Sequence, residues 1–63
     1  MPELPVAELS SVATALEELA TRVSALADGL SGGRREGKAA DLYEIERALA
    51  GAHRRLTKLV ADH

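Results

Sequence analysis

The sequence predicts an all-α protein: an antiparallel two-helix hairpin that pairs into a four-helix bundle. Three observations carry this expectation. Leu9, Val12, Leu16, Leu19, Val23, Leu26 and Leu30 fall at alternating spacings of three and four, an unbroken apolar heptad seam. Leu42, Ile45, Leu49, Ala52, Leu56 and Leu59 repeat the pattern. Between the two seams, Ser31 to Ala40 is the one stretch of loop composition, with Gly32, Gly33 and Gly37 among Arg34, Arg35, Glu36 and Lys38.

The first helix is expected over about residues 5–29. Pro2 and Pro5 precede it, and proline is tolerated in a first helical turn, whose N–H groups have no intrahelical partner. Glu3 and Glu8 lie near the positive end of its dipole. With Leu9, Leu16, Val23 and Leu30 at heptad position a, and Val12, Leu19 and Leu26 at d, alanine holds every e position: Ala13, Ala20 and Ala27. A column of methyl groups beside large residues suits close helix approach. Ser10, Ser11, Thr14, Glu17, Glu18, Thr21 and Ser24 fill the outer positions, and Glu18 precedes Arg22 in the favoured order for a helical ion pair.

The turn is expected over about residues 30–40 and the second helix over about 41–61. Asp41 followed by Glu44 resembles a capping box, although residues 34–40 are also compatible with a backward extension of this helix. Zipping the seams outward from the turn pairs Leu26 with Ile45, Val23 with Leu49, Leu19 with Ala52, Leu16 with Leu56 and Val12 with Leu59. The same register sets Glu17 and Glu18 level with Arg54 and Arg55. Residues 1–30 carry five acids against Arg22 alone, whereas residues 31–63 carry seven bases against five acids, so the halves attract.

A chain of 63 residues forms one small domain with too little core to offset its conformational entropy comfortably. It has no cysteine, so neither a disulfide nor a thiolate metal site can make up the difference. Association is the remaining route. A second hairpin is expected to cover Ala13, Ala20 and Ala27 together with Val60 and Ala48. Its source is either a second copy, through a two-fold axis, or another helical protein in a hetero-complex. The expected interface comprises both seams with the alanine column, His53 and Val60.

The function this predicts is a protein–protein interaction or scaffolding module. No cofactor, metal or small-molecule substrate is inferred. Gly32 to Lys38 matches the GxxxxGK spacing of a phosphate-binding loop, but Ala39 stands where a hydroxyl is needed, and a helix precedes the motif instead of a strand. His53, at an e position, and His63 lack a second ligand at helical spacing, which leaves only a site shared across an oligomer axis. Tyr43, the sole aromatic residue, lies off the seam near the turn, where it packs on the loop or anchors a partner. Arg47, Arg54, Arg55 and Lys58, joined by Arg34, Arg35 and Lys38 of the turn, suggest a nucleic-acid regulator, a weaker reading because no aromatics are interleaved and acids share the half. No arrangement of nucleophile, base and acid is discernible, so an enzyme is not expected. With no apolar run long enough to span a bilayer and no basic-then-apolar leader, a cytoplasmic location is expected. Arginine over lysine, with no Asn or Gln, fits a GC-rich bacterial genome.

Overall fold

The computed structural model describes residues 3–62, which form two α-helices, α1 (Val6–Leu30) and α2 (Glu36–Asp62). His63 and Pro2 lie outside the described residues. The helices pack side by side along their whole length into a rod 53 Å long and 13–14 Å across.

At its start α1 uses backbone and not side chain: Pro5 occupies the cap position without a side-chain hydrogen bond, and its carbonyl accepts from the Leu9 N–H at 3.0 Å. After Leu30 the Ser31 N–H still reaches the Asp28 carbonyl at 3.4 Å. Gly32 then takes φ +82°, a left-handed conformation that glycine adopts without steric cost. The turn is therefore shorter than the composition suggests.

Helix α2 starts at Glu36, five residues ahead of the Asp41 capping box. Its first bonds run from the Glu36 N–H to Gly33 and from the Ala39 N–H to Arg35. Glu36 lies at the positive end of the dipole, and Ala39 is almost completely buried. That contact offsets the ordering cost of the extra turn and overrides the local capping signal at Asp41, which sits inside the helix. Burial at Ala39 depends on α1, so it leaves no trace in the local sequence.

Two cross-helix pairs establish the antiparallel register. The Tyr43 hydroxyl donates to the Asp28 carboxylate at 2.5 Å, and His53 Nε2 lies 3.5 Å from Glu17 Oε2. Both place the helices at the levels the seams predict. The expected Glu17 and Glu18 pairs with Arg54 and Arg55 are absent among the described residues; Glu17 turns to His53 instead.

The rotation of the helices differs from expectation. Their contact runs along positions a and e, not a and d. In α1 the covered column is Val6, Leu9, Ala13, Leu16, Ala20, Val23, Ala27 and Leu30; in α2 it is Ala39, Leu42, Glu46, Leu49, His53, Leu56 and Val60. The alanines expected to await a second hairpin are inside the first: Ala20 is 9% exposed and Ala27 0%. Val60 is half-buried there too, while Ala48 is exposed, and Ser24, expected on the outer face, is half-buried. Columns d, a and e together span about 100° of helix surface, more than one neighbouring helix covers. Alanines at e of α1 permit the closer backbone approach, so the e side is covered and the d side is left open.

Candidate helix-docking face

The rod has two unlike long faces because position d lies on one side of the a/e contact and position b on the other. In an antiparallel pair, equivalent heptad columns fall on the same face. The d columns therefore form three layers on one side: Val12 level with Leu59, Leu19 with Ala52, and Leu26 with Ile45. Val12, Leu19, Leu26, Ile45 and Leu59 are 44–62% exposed, and Ala52 is exposed as well. Beneath them the a residues Leu9, Leu16, Val23, Leu42, Leu49 and Leu56 are half-buried. No large side chain among the described residues is fully buried, and the buried apolar residues are three alanines.

The opposite face is polar. Tyr43 and Asp28 close it near the turn, Glu17 and His53 bridge it nearer the open end, and Ser24 and half-buried Glu46 lie between. The Asp28 carboxylate, by accepting the phenol's hydrogen bond, raises the Tyr43 pKa above its ordinary value of 10.0; partial desolvation and the negative charge act in the same direction, and Ser31 acts weakly against them. Tyr43 is thus turned towards the last turn of α1. His53 is half-buried against α1, on the side away from the open apolar face.

The spacing of the a/d seam does not mark these polar cross-helix groups; for Glu46 and His53 a signal exists, since with Ala39 and Val60 they recur every seven residues as the e column of α2. The three described threonine bonds need no partner beyond the protein: Thr14, Thr21 and Thr57 donate to the carbonyls of Ser10, Glu17 and His53, one turn back.

Among the described residues no three metal-capable side chains converge. Gly32 to Lys38 forms the interhelical turn and the start of α2, where Arg34, Arg35, Gly37, Lys38 and Asp41 line an open depression. A phosphate loop needs a strand to deliver it and a Ser or Thr after the lysine; here α1 precedes it and Ala39 follows. No described helix is long and apolar enough to cross a membrane. The described residues form a small all-helical domain in which no catalytic or metal motif is recognisable, in keeping with a structural or interaction module. The chain matches no protein-family model, no curated protein and no solved structure.

Proposed function

We propose that the protein is a non-catalytic interaction module, one half of a four-helix bundle that a second copy of the chain completes. The observation that supports this most is the offset between the apolar seam and the intramolecular contact. With successive residues 100° apart, the a/e contact and the a/d seam point in directions about 50° apart. In a two-helix coiled coil the seam points at the neighbouring helix. In a square bundle it points at the central axis, about 45° from the line to each neighbour. The offset of the hairpin supports the second geometry: e residues meet the helix of the same chain, and in the proposed bundle a and d residues would face its centre and d residues the second pair of helices.

The size of the face agrees. A contact along a rod 53 Å long and 14 Å wide covers roughly 700 Å² per chain, close to the ~800 Å² per partner of a stable interface. A second copy is the favoured occupant because the same patch satisfies itself through a two-fold axis, and because that patch is flanked by an acidic helix and a mixed one. The polar opposite face stops the assembly at two layers.

The test compares charge on two faces of α1. Leu19→Glu with Leu26→Glu puts carboxylates on the open apolar face and should reduce the mass in solution from two chains to one. Thr14→Glu with Thr21→Glu puts the same charge on the outer face and should leave a two-chain mass. Equal effects of the two double variants would place the contact elsewhere; a one-chain mass for the unaltered protein would transfer the face to a different helical partner.

A further inference from the structure

We infer that the second copy packs with its turn at the same end as that of the first, so that α1 of each hairpin lies against α2 of the other. This rests on the proposed bundle and adds the orientation of its two halves. Two arrangements close the open face symmetrically. A two-fold axis along the helices sets the turns together and crosses α1 with α2; an axis perpendicular to the helices sets the turns at opposite ends and faces α1 with α1.

The middle layer distinguishes them by volume. Leu19 and Ala52 share a level on the open face, and both are exposed. With the turns together, Leu19 lies opposite Ala52 of the partner subunit in both halves of the layer, large against small. With the turns apart, leucine meets leucine and alanine meets alanine, one side crowded and the other hollow, and close-packed interiors disfavour both.

Charge favours the same choice. Helix α1 carries four acids and one base, α2 five of each. Setting α1 against α1 opposes two acidic helices along their length, whereas setting it against α2 does not. At the edge of the open face, Arg22 already has Glu18 one turn before it on its own helix. Arg55 has no acid three or four residues away in either direction: Gly51, Ala52, Lys58 and Leu59 hold those positions. Glu18 lies level with Arg55 but on the other helix and the other edge of the face, so within one hairpin the two point apart. With the turns together, the partner's Glu18 comes alongside Arg55. The opposing cost is the approach of two turns bearing Arg34, Arg35 and Lys38. All three are exposed, where salt screens such repulsion beyond about 8 Å.

The chain has no cysteine, so a single Arg34→Cys substitution, at an exposed residue of the turn, carries one spin label per chain. In the labelled full-length dimer, the two labels should lie within about 25 Å of one another, as neighbouring helix ends do. A separation of about 40 Å, the offset of two turns at opposite ends of the bundle, would overturn the orientation and leave the bundle standing. A single-chain mass with no dipolar coupling would overturn both.

Discussion

Ala27 has no exposed surface, and the column it belongs to decides which side of α1 meets α2. Adding three carbons at that point forces the backbones apart, and overpacking of this kind costs about 1–3 kcal/mol. Ala27→Leu should therefore lower the denaturant midpoint clearly, whereas Thr21→Leu, the same side chain on the exposed outer face, should leave it within about 0.5 kcal/mol of the parent. Equal midpoints would mean that the alanine column is not the intramolecular contact. Tyr43 gives a second test at this scale. Its phenol is held above the ordinary pKa of 10.0 chiefly by the Asp28 carboxylate, so the neutral form is the one the fold favours. Its contribution to stability is complete below the unfolded value and is lost as pH rises through the raised folded one. Phenolate absorbance should show Asp28→Asn titrating at lower pH than the parent; an unchanged midpoint would show that the carboxylate does not act on Tyr43.

At the scale of the helices, the register was legible and the rotation was not. Seam residues at matching spacings on both sides of one glycine-rich turn admit one antiparallel alignment, and the Asp28–Tyr43 and Glu17–His53 pairs fall in it. Rotation was hidden because d, a and e are all apolar in α1, so spacing alone did not say which flank the neighbouring helix would take. The start of α2 was left between two readings, a cap at Asp41 and a backward extension through residues 34–40; the contact that decides for Glu36 is the tertiary burial of Ala39. The glycines separate in the same manner. Gly51 is helical, and a Cβ there would meet only the far end of Arg54 at 3.9 Å, an ordinary contact. Gly51→Ala should raise stability by about 0.5–1 kcal/mol through helix propensity. Gly32, at φ +82°, has open space around it but a conformation that a side chain resists, so Gly32→Ala should lower stability. A thermal midpoint series on the two variants reads both signs.

For the whole molecule, a formal charge of −2 and a single aromatic residue leave little basis for nucleic-acid recognition. Any binding to duplex or single strands should be weak and should disappear as salt displaces the few phosphate contacts; sequence-selective retention at physiological salt would make recognition, not association, the principal activity. Association is proposed because, among the described residues, one hairpin buries three alanines and leaves its large d side chains open. In the proposed bundle folding and dimerisation form one equilibrium, and mass action then shows in the stability of the unaltered chain. The most direct measurement is its thermal midpoint, followed by helical circular dichroism over a hundredfold range of protein concentration. For a chain that folds as it dimerises, the midpoint rises steadily with concentration. A midpoint that stays fixed across that range, with a fully helical single chain at its lowest concentration, would contradict the proposed dimer.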